Sequence, residues 1–148
     1  MNRARSLLKV SSVHRAGYRG FGTCIAILDT GIEPHHPDFF RPLGHSRITG
    51  FADFTKNSAP VSLQSWSHAY DDNGHGTHVA GIAGGNGFVS GNLYCGIAPE
   101  CNLCILKVLD FSGNGKMKNI LNALEWILIH HKEYNIRVVN ISVGTTLP

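Results

Sequence analysis

Apolar residues run without a break from Cys24 to Leu28, between Gly22 and the turn-forming Asp29-Thr30-Gly31. A short run bounded in this way is the pattern of a strand buried on both faces, and it predicts the first strand of a parallel sheet over Thr23–Leu28. Ile48–Phe54, Leu103–Leu109 and Arg137–Val143, the last rich in Val and Ile, read as further strands. From Met117 onward, Ile120, Leu121, Leu124, Ile127 and Leu128 keep the i, i+3, i+4, i+7 rhythm of an amphipathic helix, so a strand–helix–strand unit closes this part of the chain. His75–Ala83 has small residues and the apolar pair Val79 and Ile82, which predicts a tightly packed helix with a Gly-rich entry. Strands and helices in alternation predict an α/β fold: a doubly wound, mostly parallel sheet with helices on both faces. Lys56–Tyr70 holds Ser, Pro, Gln and Asn without periodicity and reads as a surface loop.

Composition narrows the picture. A chain of 148 residues with 43% hydrophobic and 16% charged residues has the apolar content for one modest core and is not a disordered chain. The net charge of +3 is too small to single out nucleic acid or an anionic membrane as a partner. Cys24–Leu28 is the longest apolar run, far short of the roughly 20 residues of a membrane span. Residues 1–13 form a basic segment ahead of the domain at 14–148, and only Leu7-Leu8 interrupts the early basic positions. No apolar leader core is seen there, so a cytoplasmic location is expected and Cys24, Cys95, Cys101 and Cys104 are read as thiols. Cys101-x-x-Cys104 lacks the second pair of a zinc site and runs into an apolar strand.

Two islands carry chemistry. Asp29 closes the first buried strand, at the carboxyl edge where open parallel sheets build their sites; an Asp capping the Thr30-Gly31 turn is the alternative. Asp71-Asp72-Asn73-Gly74-His75-Gly76-Thr77-His78-Val79-Ala80-Gly81 sets an imidazole among glycines. A catalytic histidine needs a carboxylate on one ring nitrogen and a nucleophile on the other, and Asp29 from another strand end can be the former. His75 and His78 are spaced i, i+3 with no Glu between them, unlike the H-E-x-x-H zinc pattern, so no metal is assigned to them.

Ile27-Leu28-Asp29-Thr30-Gly31-Ile32 with His36-Pro37-Asp38, then His75-Gly76-Thr77-His78-Val79-Ala80-Gly81, resemble the subtilisin-like serine peptidases, the subtilase family. Gly96-Ile97-Ala98-Pro99, Leu106-Lys107-Val108-Leu109 and Val139-Asn140-Ile141-Ser142-Val143-Gly144 extend the resemblance over nearly the whole chain from about residue 14. It implies that Asp29 and His75 are the Asp and His of a charge-relay triad, with His78 the non-catalytic second histidine of the motif. It implies too that an extended peptide or protein substrate lies between Ser142-Val143-Gly144 and the Ser112–Gly115 segment, with Gly113 and Gly115 on that second edge. For Gly113 and Gly115 an ordinary loop before a helix is the alternative, and a phosphate loop fails because Asp110 and Met117 break its pattern.

The resemblance also implies a Gly-Thr-Ser-Met-Ala nucleophile motif and an oxyanion-hole Asn after the strand that ends near Val143, and neither occurs in these 148 residues. The fold is therefore expected to be truncated after the substrate-binding strand, the chain alone inactive, and a complementary C-terminal half a partner. Loss of the nucleophile costs about 10⁶ in kcat, a figure measured on a subtilisin itself. Asp38 matches a position that binds calcium in some members, but Gly84–Cys95 is poor in carboxylates, so calcium stays unassigned and no cofactor is named. The thiols and the missing leader place the resemblance closest to the bacterial intracellular-type branch. A non-catalytic peptide-binding or regulatory module of the same fold is the alternative function. A nucleotide-binding domain is disfavoured because no glycine fingerprint follows Leu28.

Overall fold

The computed structural model describes residues 2–56 and 62–144. Four strands, β1 (Cys24–Asp29), β2 (Ile48–Asp53), β3 (Asn102–Lys107) and β4 (Ile136–Ile141), form one parallel sheet in the order β2-β3-β1-β4. Helices α1 (Asn2–Leu7) and α2 (Val10–Arg15) precede the sheet, while α3 (His75–Gly84) and α4 (Met117–His130) connect its strands.

β1 is buried on both faces because both faces are covered. Cys24, Ala26 and Leu28 pack with Ala123, Trp126 and Ile127 of α4. Ile25 and Ile27 point the other way and join Val79, Ala80 and Ala83 of α3, with Ile32 and Phe39. A continuous apolar run, not an alternating one, is what such a double cover demands. Small residues bring α3 close: a Cβ on Gly84 would stand 2.8 Å from Cys101 Sγ and 3.1 Å from Leu103 Cδ2.

The strand ends differ slightly from expectation, for local reasons. β3 stops at Lys107, not Leu109, because the N–H groups of Val108 and Leu109 both turn to donate to the Asp29 carbonyl, at 2.9 and 3.2 Å. β4 ends at Ile141, so Ser142–Gly144 leave the sheet beside the end of β1, where Ile141 pairs with Leu28. The segment after Lys56 is not wholly irregular: Gln64 pairs with Phe51 in an isolated bridge, and Trp66–His68 form a 3₁₀ turn. Residues 57–61 lie outside the described residues. The pattern did not predict α1 and α2, each six residues long, where periodicity is too short to register.

Handedness is the least expected feature. The β1–β2 connection, through Ile32 and Phe39, and the β2–β3 connection, through α3, cover the same face but cross the sheet in opposite directions. The β3–β4 connection crosses in the same direction as β2–β3 but through α4, on the opposite face. The crossover through α3 therefore has the opposite hand to the other two, although about 98% of parallel crossovers share one hand.

β4 is an edge strand, paired only with β1. Val138 is 53% exposed and Val139 and Ile141 about 40%, and Leu128 and Ile129 on α4 are exposed as well. That is an unusual amount of branched apolar surface for a sheet edge.

Candidate active site

Asp29 is the last residue of β1 and is fully buried. Its Oδ1 accepts hydrogen bonds from the Thr30 N–H at 2.7 Å and from His75 Nδ1 at 2.8 Å. His75 opens α3 directly after Gly74, whose φ of +97° turns the chain into the helix, and its ring is half exposed. With Nδ1 donating to a carboxylate, Nε2 is the nitrogen left as a base.

What holds these two side chains together is a set of groups around them. Gly76 packs against Gly31 so closely that a Cβ would overlap the Gly31 carbonyl oxygen and stand 2.9 Å from its nitrogen. The Gly76 N–H donates to Thr30 Oγ1 at 2.9 Å, and Thr30 Oγ1 donates in turn to Asp71 Oδ1 at 2.8 Å. Asp71 Oδ1 also accepts the N–H groups of Asn73 and Gly74, and Oδ2 accepts the N–H and hydroxyl of Thr77. Burial works against the charged form of Asp71, but these donors outweigh it and hold its carboxyl down at about 2. A second anchor is Lys107, 1% exposed, whose ammonium donates to the Thr30 carbonyl (2.6 Å), the Leu109 carbonyl (2.9 Å) and Asp72 Oδ1 (2.7 Å). It lies level with Asp29 across the β1–β3 pair. One buried cation thus ties the end of β1, the end of β3 and the loop before His75.

A cleft of about 360 Å³ opens beside His75. Its walls include Gly113 and Gly115 on one side and Ser142, Val143 and Gly144 on the other, so all five positions singled out as peptide contacts meet the candidate base in one place. Leu109, Met117 and Ile120 give it an apolar floor that sequence reasoning did not single out. Asn73 Nδ2 donates to the Phe111 carbonyl at 2.9 Å and so ties the His75 loop to the Gly113 loop. Sequence reasoning also missed Asp71, Thr30 and Lys107; the acidic pair beside the histidine motif was the available signal for the first. Residues 145–148, which follow this wall of the cleft, lie outside those described. A larger cavity, about 540 Å³ and bounded by His36, Asp38, His78 and Tyr94, does not reach His75.

Asp38 Oδ1 accepts the Val89 N–H, and its carbonyl accepts Asn86 N–H and Arg47. Among the described residues no three His, Cys, Asp or Glu groups converge as a metal site. All four cysteines are buried free thiols, with burial pushing Cys24 up to about 12 and Cys101 to about 11. No helix among the described residues is long and apolar enough to cross a membrane.

Comparison with known proteins agrees with the geometry. The family model described as the subtilase family matches residues 20–147. Serine protease AprX of Bacillus subtilis is 38% identical over 128 residues, which cover 84% of this chain and 26% of the relative. Subtilisin E of the same organism is 34% identical over 94% of this chain and 31% of its own length, and the minor extracellular protease Epr is 34% identical over 94% of this chain and 18% of its own. In fold, the chain matches the CspB protease of Clostridium perfringens with a TM-score of 0.73 at 24% identity, over 90% of this chain and 31% of that one. The chain belongs to the subtilase family, and it spans about a third or less of these relatives. The relatives do not single out an intracellular-type branch. They also overturn the cytoplasmic expectation, since one of them is by its name extracellular. The physical reason is that thiols buried this deeply behave as small apolar side chains, inert in any compartment, and say nothing of its redox state.

Proposed function

We propose that this subtilase-family chain supplies the Asp and His of a serine endopeptidase site and the walls of its peptide cleft, while the nucleophilic serine comes from sequence outside these 148 residues. The observation that carries the reading is the buried Asp29 carboxylate on His75 Nδ1 at 2.8 Å, with the imidazole opening into the cleft of Gly113, Gly115, Ser142, Val143 and Gly144. In this reading His75 Nε2 takes the proton of the serine hydroxyl as it attacks the scissile carbonyl, then returns it to the leaving amine. Asp29 fixes the tautomer and stabilises the imidazolium. An extended peptide pairs with the main chain of the two cleft walls, which asks little of its sequence.

The open β4 edge supports a partner that continues the sheet, and we take that partner to be the C-terminal part of a subtilase domain. The test mixes the chain with such a segment carrying the serine motif and follows hydrolysis of a peptide ester. Hydrolysis is expected only in the mixture, with loss by at least 10³-fold in His75→Ala. The chain alone is expected to hydrolyse nothing and to leave a serine-directed fluorophosphonate unreacted. Activity of the mixture that survives His75→Ala, or stoichiometric labelling of a serine in the chain alone, overturns the reading.

A further inference from the structure

We propose a second binding site at the N-terminal end of the sheet, which takes the C-terminal carboxylate of a peptide with an apolar last side chain on Arg19, Arg41 and Arg47 and the pocket beside them. The site stands apart from the peptidase reading and does not rest on it. Arg47 immediately precedes β2, Arg19 lies five residues before β1 and Glu100 two before β3, whereas His75 lies at the opposite ends of the strands. Six residues of strand put about 20 Å between the two edges.

Charge defines the ligand. Arg19, Arg41 and Arg47 all line one cavity of about 270 Å³, whose lining holds one acidic residue, Glu100. Among the described residues Arg19 meets Glu100 through Nε alone, at 2.5 Å, and its two terminal nitrogens have no acceptor. Arg41 donates to the neutral amide of Asn102 at 2.7 Å. Arg47, 2% exposed, donates to three main-chain carbonyls, those of Cys101, Asp38 and Gly84, and its Nε has no acceptor among the described residues. Among the described residues two of the three cations thus donate only to neutral groups, and burial works against the charged form of Arg47, with the nearby Arg41 charge adding to it and the Asp38 carboxylate offsetting part of it. A carboxylate in the cavity adds to the partial compensation that Asp38 and Glu100 supply, in the forked geometry that guanidinium groups favour.

The apolar half of the site adjoins the first. A second cavity, about 460 Å³, shares Phe40, Arg41, Pro42, Asn86 and Phe88 with it and adds Leu43. Leu43 is 95% and Phe88 73% exposed, so this rim is apolar surface without cover among the described residues. Between acid and side chain, Asn92 lines the cationic cavity, and its side-chain amide makes no hydrogen bond among the described residues while its main-chain N–H donates to Gly87. A peptide group pairs with that amide, whereas an acyl chain has no use for it, and this favours a peptide end over a fatty acid.

The experiment titrates the 148-residue chain with acetyl-Leu-Phe bearing a free carboxylate, by calorimetry and by amide chemical shifts. Saturable binding is expected, with shifts at Arg41, Phe88 and Asn92. The carboxamide acetyl-Leu-Phe-NH₂ is expected to bind at least tenfold more weakly, as is the free acid to Arg41→Gln. Asn92→Asp, on an exposed loop, brings a repelling charge and should weaken binding likewise if Arg41→Gln does not fold. His75→Ala should leave the affinity unchanged. Equal affinity for the carboxamide, shifts at Gly113 and Ser142 instead, or loss of binding in His75→Ala overturns the proposal and leaves the peptidase reading intact. Decanoate binding more tightly than the peptide makes the occupant a lipid, and acetate binding equally well makes the site one for small anions; either result also overturns it.

Discussion

Replacing Asp71 by Asn tests whether the scaffold around the candidate dyad works as described. The substitution keeps the shape but leaves one acceptor oxygen where there were two, and the amide NH₂ then faces donors. Oδ1 receives Thr30 Oγ1, Asn73 N–H and Gly74 N–H; Oδ2 receives Thr77 N–H and Thr77 Oγ1. The hydroxyls do not simply turn away, because Thr30 Oγ1 already accepts from Gly76 and Thr77 Oγ1 from Glu33. At least two hydrogen bonds are lost whichever way the amide points, each worth about 1 kcal/mol and more with a charged acceptor, so the expected cost is about 2–4 kcal/mol. For a chain of this length that lowers Tm by roughly 6–14 °C. The pH dependence has a definite sign. A carboxyl lowered in the folded state to about 2 stabilises the fold above its unfolded value near 3.8, and that stability is lost as pH falls through about 2. Asp71 is partly exposed, so solvent screening reduces this contribution to about 1 kcal/mol. The assay is thermal unfolding of both proteins by circular dichroism from pH 7 downward. The gap in Tm should be widest above pH 4 and narrow toward pH 2. A Tm within 2 °C of the parent at pH 7, or a gap that widens on acidification, refutes the reasoning.

Gly76→Ala should push α3 away from the Gly31 turn at a cost of about 1–3 kcal/mol and break the hydrogen bond between His75 and Asp29, seen as loss of the protected Nδ1–H proton signal of His75 by NMR. Lys107→Met removes the ammonium but strands two carbonyls and Asp72, so a loss of about 3 kcal/mol in urea unfolding is expected, and a neutral result would show that the lysine is not an anchor. Val138→Lys on the open edge of β4 should reduce self-association of the chain, read as a shift toward monomer in sedimentation, with little change in Tm.

The strands were legible because double burial leaves a one-dimensional trace: Cys24–Leu28 is apolar at every position, and only a central parallel strand needs that. Helix α4 was legible through its stripe from Ile120 to Leu128. Asp29 and His75 stood out because each lies where pattern gives way to turn chemistry. The scaffold around them was not legible. Lys107 reads as the polar end of a strand, and only the sheet order reveals that its ammonium reaches Thr30 and Asp72. Arg47 looks like any surface cation before a strand, yet it is buried against three carbonyls contributed by separate parts of the chain. Local pattern carries no trace of such contacts, since each is made by a residue 9 to 77 positions away.

Topology places the dyad before any glycine refines it. A helix that connects two parallel strands runs back against them, so its first residue starts at their carboxyl edge. His75 is the first residue of α3 and Asp29 the last of β1, and the two are therefore delivered to the same edge although 46 residues separate them. The crossover of opposite hand decides which helix does this. Because α3 returns from β2 to β3 on the face already crossed by the β1–β2 connection, it has to share that face with Ile32 and Phe39, and it fits there only as a slim helix of Gly76, Ala80 and Gly84. The same small residues let its N-terminus close onto the Gly31 turn, where the Gly76 N–H reaches Thr30 and the imidazole reaches Asp29. The glycines of the histidine motif thus answer first to packing under an uncommon crossover, and the 2.8 Å hydrogen bond is what that packing makes available for chemistry.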